Sequence, residues 1–152
     1  MEFLVASDSH GNFNKLYNMV MDNGNINEIF FLGDGARDIE DVISLFPDKK
    51  INYVSGNCDL MSLRPSWDTK KICKAKILYT HGDAFGVKTG LSKLVLAAKK
   101  EGANIALFGH THLKFFKERE GVFLINPGSI SKGEYAVVSI DSNKPRVAFC
   151  EV

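Results

Sequence analysis

Apolar and polar positions along the chain follow two periods, and the changes of period mark the elements. Phe3 to Ala6 is a short apolar run that reads as a strand, and Phe13, Leu16, Tyr17 and Val20 follow at the spacing of an amphipathic helix. Ile29 to Leu32 repeats the strand signal. Ile39, Val42, Ile43 and Phe46 mark a second helix, with Pro47 where it should stop, and Ile51 to Val54 reads as a third strand. Beyond a polar loop around Arg64, Pro65 and Ser66, the stretches Thr69 to Cys73 and Lys76 to Thr80 alternate as the strands of a hairpin. Leu91, Leu94, Val95 and Ala98 give a third helical stripe ending near Gly102, and Ile105 to Phe108 returns to a strand.

The remainder is β-rich. Phe115 and Phe116, Val122 to Ile125, Tyr135 to Ile140 and Val147 to Cys150 form a strand series broken by turn signals at Glu120-Gly121, Pro127-Gly128 and Ser142-Asn143. Strand-helix alternation followed by a terminal meander predicts two packed sheets with helices outside. No break in composition divides the chain, so residues 1–152 are expected to form a single domain.

Composition narrows the function classes. Nineteen basic and eighteen acidic side chains leave a formal charge of +1, which provides no field for bulk nucleic-acid or membrane-surface binding. No apolar run is long enough for a membrane span and the N-terminus carries no basic signal segment, so a cytoplasmic protein is expected. The three cysteines, Cys58, Cys73 and Cys150, are scattered and form no Cys-x-x-Cys pair, which argues against a disulfide framework or a thiolate zinc site.

The chemistry-bearing residues fall at strand ends. FLVAS leads to Asp8 and His10, IFFLG to Asp34, INYVSG to Asn57, KILYT to His81, and IALFG to His110 and His112. All four histidines of the chain are in this set. Five windows of about four residues cover roughly an eighth of the chain, so chance collects all four histidines there with odds on the order of a few in ten thousand. Strand ends of an open sheet share one crevice, where rigid backbone fixes ligands to the tolerance a metal needs. Seven N and O donors suit two ions that share a carboxylate, and Asp34, standing alone between the histidine-bearing ends, is the expected bridge. Asp8-x-His10 and His110-x-His112 are expected to place both partners on one face of an extended chain.

In this order the strings SDSHGN (7–12), GDGARD (33–38), GNCD (56–59), THGD (80–83), GHTH (109–112) and NPGS (126–129) resemble the calcineurin-like metallophosphoesterase superfamily, in its small phosphodiesterase or Vps29-like branch. The resemblance implies an α/β fold, a four-layer α/β-β/α sandwich of two mixed β-sheets flanked by helices. It also implies a first metal on Asp8, His10 and His112 and a second on Asn57, His81 and His110, with Asp34 joining them. The implied activity is a phosphodiesterase that hydrolyses small phosphodiesters by attack of a metal-bridging hydroxide, with Mn2+ the expected ion. Donor type alone leaves Ni2+, Zn2+, Fe2+ and Mg2+ open.

Asn57, Asp59 and His81 are the expected catalytic residues. Many larger relatives carry a histidine where this chain has Cys58, so Asp59 is a candidate for protonating the leaving oxygen. Asn12 at the start of the first helix, and Arg37 after Asp34, are the candidate substrate contacts. Their alternatives are helix capping for Asn12 and a surface ion pair with Asp38 for Arg37. Asp83 stands where relatives often have a histidine, and either orients a ligand imidazole or lies in solvent. NPGS reads as a tight turn supporting the rim. The rival functions are a phosphomonoesterase or nucleotide hydrolase with the same ions, and a Vps29-like interaction scaffold with exposed aromatics such as Trp67 or Phe85. Few basic residues stand near the motifs, only Arg37 and, more loosely, Arg64 and Lys88, which favours singly charged diesters.

Overall fold

The computed structural model describes residues 1–142 and 144–152. Asn143 of the expected Ser142-Asn143 turn lies outside them; Ser142 adopts the left-handed backbone of a turn. In chain order the elements are β1 (Glu2–Ala6), α1 (Phe13–Asp22), β2 (Glu28–Phe31), α2 (Ala36–Leu45), β3 (Lys50–Tyr53), β4 (Trp67–Ile72) and β5 (Ala75–Thr80). They continue with α3 (Ser92–Lys100), β6 (Ile105–Phe108), β7 (Lys114–Arg119), β8 (Val122–Pro127), β9 (Glu134–Asp141) and β10 (Lys144–Glu151). Two single 3-10 turns, Asp83–Phe85 and Ile130–Lys132, carry no periodic signal and escape sequence reading.

Strand periodicity builds four layers. The sheets run β10-β9-β1-β2-β3 and β4-β5-β6-β8-β7, each mixing parallel and antiparallel pairs. Along β1, Phe3 and Val5 point to the layer between the sheets, where they meet Ile77, Tyr79, Ile105 and Leu107. Leu4 and Ala6 point the other way, onto Leu16, Met19, Ile39 and Val42 of α1 and α2. On the second sheet Leu78, Ala106 and Leu124 face Leu94, Val95 and Ala98 of α3. The inner strands β1, β2 and β6 are therefore covered on both faces, which is why they read as unbroken apolar runs rather than alternation.

The tail differs from the expected meander. β7 and β8 form a hairpin in the second sheet, whereas β9 and β10 form one in the first, with β9 beside β1. Alternation reports which face of a strand is buried, not which strand it pairs with. The β4–β5 hairpin closes one residue earlier than expected: Ile72 pairs with Ala75, and Cys73 takes a positive φ of 54° in the turn.

One polar group interrupts the layer between the sheets. Glu28 shares the inward face of β2 with Phe30 and is buried; its carboxylate accepts Lys70 Nζ of β4 at 2.5 Å and Asn52 Nδ2 of β3 at 2.7 Å. Lys70 also donates to Asn52 Oδ1 at 2.8 Å. The cluster ties an outer strand of one sheet to an outer strand of the other.

Candidate metal centre

Parallel strands of the two sheets end at one rim, and the turns that follow them carry the donors. Asp8 and His10 follow β1, Asp34 follows β2, Asn57 follows β3, His81 follows β5, and His110 and His112 follow β6. Backbone bonds lace these turns together: Asp8 N–H donates to Gly33 O at 2.9 Å, His10 N–H to Asp34 O at 3.0 Å and Gly109 N–H to His81 O at 2.9 Å. Gly56 and Gly109 permit the close approach. A Cβ at Gly56 would collide with Asp34 Oδ1, and one at Gly109 with Ser7 Oγ.

All seven expected donors come together, in two groups. In the first, His112 Nε2 stands 3.0 Å from Asp8 Oδ1 and 3.3 Å from His10 Nε2, and His10 Nε2 is 3.6 Å from Asp8 Oδ1. In the second, His81 Nε2 lies 3.0 Å from Asn57 Oδ1, 3.1 Å from His110 Nδ1 and 3.4 Å from Asp34 Oδ2. Asp34 Oδ2 is also 3.9 Å from His10 Nε2, between the groups. Atoms bound about 2.1 Å from one ion stand about 3.0 Å apart at right angles and about 3.4 Å apart at the tetrahedral angle. Five of the six spacings within the groups fall within those edges and the sixth, His10 to Asp8, is slightly longer, so the residues fit one ion per group.

The route to this convergence is not the extended one expected from Asp-x-His and His-x-His. Asp8, His10, Asp34, His110 and His112 all have positive φ, from 46° to 67°. A non-glycine residue held there costs on the order of 1 kcal/mol, and aspartate and histidine tolerate it better than branched side chains do. Tight left-handed turns, rather than strand alternation, bring the paired side chains together.

Charge in the site is one-sided. Asp8 and Asp34 are buried, and among the described residues neither has a lysine or arginine ion-pair partner. Burial works against an ionised Asp34, but hydrogen bonds from His81 and the Cys58 N–H outweigh it and hold the carboxyl well below its usual range. For fully buried His81, desolvation resists the charged form, yet the Asp34 hydrogen bond and the charges of Asp8 and Asp34 push its pKa up. Its Nδ1–H donates to Leu32 O at 2.8 Å, which leaves Nε2 facing the centre. His110 is moved down by burial, by His81 and by Lys88. Burial and the neighbouring Asp34 raise the Cys58 thiol.

Asp59 does not face the donors as a free acid. Its Oδ1 accepts the N–H groups of Gly35 and Ala36, both at 2.9 Å, and its Oδ2 those of Asp34 at 2.7 Å and Gly56 at 2.8 Å. Four donors fill the lone-pair sites of the carboxylate and clamp the turn after β3 to the start of α2. Asp38 plays a similar part, unforeseen from sequence: it is buried, and its Oδ2 accepts Ser9 Oγ at 2.5 Å and Gly11 N–H at 2.9 Å. Arg37 is exposed beside the site and, among the described residues, forms no ion pair with Asp38 or any other group. Arg64 lies over the Tyr53 ring.

Asn12 makes no side-chain cap on α1; its Nδ2 donates to Ser131 O at 3.3 Å. Asp83 is exposed, with no hydrogen bond to a ligand histidine among the described residues. NPGS buttresses the rim, because buried Asn126 donates to Gly109 O and Thr111 Oγ1, both at 3.0 Å, and Ser129 Oγ donates to Asp8 O at 2.9 Å.

The sequence profile of the calcineurin-like phosphoesterase superfamily domain matches residues 1–143. The chain is 28% identical over 156 aligned residues to the probable metallophosphoesterase YsnB of Bacillus subtilis, covering 98% of this chain and 90% of that one. It is 30% identical over 90 residues to the phosphodiesterase YfcE of Escherichia coli K12, an alignment spanning 54% of this chain and 45% of YfcE. Among solved structures, a conserved Streptococcus pneumoniae TIGR4 protein described as a predicted phosphoesterase superposes with a TM-score of 0.86 at 29% identity, covering 99% of this chain and 88% of that one. Entamoeba histolytica Vps29, solved with Zn2+, gives 0.78 at 18% identity over 99% of each chain, a likeness of fold.

Proposed function

Since the chain belongs to the calcineurin-like phosphoesterase superfamily, we propose that it is a dinuclear metal-dependent phosphodiesterase acting on small phosphodiesters. The observation that carries this reading is Asp34, a buried carboxylate without a lysine or arginine ion-pair partner among the described residues, set between two donor groups of coordination spacing. Asp8, His10 and His112 would hold one divalent ion, and Asn57, His81 and His110 the other, with Asp34 common to both. Such a pair supplies an activated water nucleophile and offsets charge on the phosphoryl oxygens. Manganese is the ion we favour.

The chain's own residues fix the geometry for that chemistry. The Leu32 carbonyl orients the His81 ring, and Asp59 locks the Asn57 turn onto the start of α2, which makes it a positioning residue rather than the acid. Arg37, free of ion pairs among the described residues, lines the hollow beside His10 and Asp34, which supports a role in meeting a phosphoryl oxygen; Asn12, tied to Ser131 O, would act through its backbone end of α1. With Arg64 engaged over Tyr53, few cations remain for the second charge of a monoester, which favours diesters.

Hydrolysis of an aryl diester and its monoester by the Mn2+-loaded protein, with metal analysis of the same sample, tests the reading. Two ions per chain and a diester preference are expected; a strong monoester preference or a metal-free active protein would refute it. The interaction-scaffold alternative draws on the likeness to Vps29, and would be adopted if the protein bound no metal.

A further inference from the structure

We propose that the groove running from the metal centre over the start of α2 receives an aromatic ester substituent, so that the preferred substrates carry a planar ring on the non-leaving oxygen of the phosphodiester. This rests on the phosphodiesterase reading and adds the substrate class.

A hollow of about 220 Å3 is lined by His10 and Asp34 and also by Ala36, Arg37, Cys58 and Asp59. The same four residues also line a second hollow of about 480 Å3, together with Glu40, Leu60, Met61 and Ser62. Sharing these walls, the two hollows adjoin, and together we read them as one channel of a size that suits a small organic group. Leu60 and Met61 are 88% and 95% exposed, two apolar side chains standing in water at the edge of a charged site.

The groups along the channel favour a ring over a plain alkyl chain. Thioether and thiol sulfurs, from Met61 and Cys58, make favourable contacts with aromatic rings, and a guanidinium such as Arg37 stacks on them. The main chain along the channel is also held in place. Asp59 fastens this loop to the start of α2 by its four N–H bonds, and Ser62 N–H donates to Asp59 O at 3.0 Å. A comparable apolar hollow on the α3 side, lined by Val87, Lys88, Leu113 and Phe115, includes none of the seven donors and shares no residue with the first.

The test uses three p-nitrophenyl diesters with a common leaving group, in which the second substituent is methyl, phenyl or thymidine 5′-yl. With Mn2+-loaded protein, at least one ring-bearing ester should exceed the methyl ester in kcat/KM by about tenfold. The order of the two separates simple aryl from nucleoside substituents. The double variant L60S/M61S should lose most of that preference, whereas L113S in the other hollow should keep it. A preference absent from the wild type, retained in L60S/M61S or lost in L113S would overturn the assignment while leaving the phosphodiesterase reading intact. If no ester is hydrolysed, that reading fails instead, and binding decides the groove. The methyl resonance of Met61 in Zn2+-loaded protein should then move with diphenyl phosphate and not with dimethyl phosphate; an unmoved resonance overturns it.

Discussion

Glu28 and Asp34 stand six residues apart, one at the start of β2 and one just past its end, and both are buried, at 4% and 3% exposed. Their surroundings differ in kind. Glu28 meets Lys70 and Asn52, which also bond each other, so charge and hydrogen bonds close within the protein. Asp34 meets the His10 and His81 rings and the Cys58 N–H, and no lysine or arginine ion-pairs with it among the described residues. The first cluster serves the fold and is complete in itself. The second leaves two buried carboxylates without a lysine or arginine ion-pair partner among the described residues, and that imbalance, rather than burial or polarity alone, is what supports reading it as a metal centre.

Four experiments bear on this contrast. The largest effect is expected from Asp34→Asn, which keeps the shape and removes the charge. Metal-dependent hydrolysis should fall by about 10^3-fold, equivalent to about 4 kcal/mol, with fewer than two ions bound per chain; wild-type stoichiometry in mass spectrometric metal analysis would equate the two clusters. Next, chelation should lower wild-type stability by about 2.7 kcal/mol for each ion that had been present at 100 times its Kd, and should lower that of the Asp34→Asn protein by less. Denaturant titration of both proteins with and without chelator reads the difference.

Lys70→Met leaves Glu28 buried without its cation. Because the Lys70 side chain is about one-third exposed, the expected cost is about 2 kcal/mol rather than the full penalty of a sealed pair. Thermal unfolding should show it, while ions bound per chain stay the same. The smallest effect is on pH. The folded-state pKa of His81 is raised, so the metal-free protein gains stability that is fully present below the unfolded value near 6.5 and is lost as pH rises through the folded value. Metal binding displaces that proton, so affinity should weaken on acidification, by up to about 1.4 kcal/mol per pH unit for each proton released. Calorimetry in buffers of different ionisation heat counts the protons; zero released would remove the pH argument.

The strand and helix plan was legible because apolar periodicity depends on burial alone, and the donors were legible because they sit immediately after those apolar runs. Other features depend on partners far away in sequence. Nothing around Glu28 signals Lys70, 42 residues on. Three of the four N–H groups that fill Asp59, those of Asp34, Gly35 and Ala36, become its neighbours only when the turn after β2 meets the turn after β3, so a carboxylate beside the motif resembled an available acid. Asp38 was hidden in the same way, and the left-handed turns at Asp8, His10, Asp34, His110 and His112 leave no mark on hydropathy.

Those turns carry an evolutionary consequence. The contorted main chain at the donors is a standing liability for folding, and glycine at His10 or His112 would relieve it. A library selected for heat resistance in the presence of chelator should therefore accumulate changes at these two positions sooner than in the apolar layers. The variants that survive boiling best would be those that have stopped turning over.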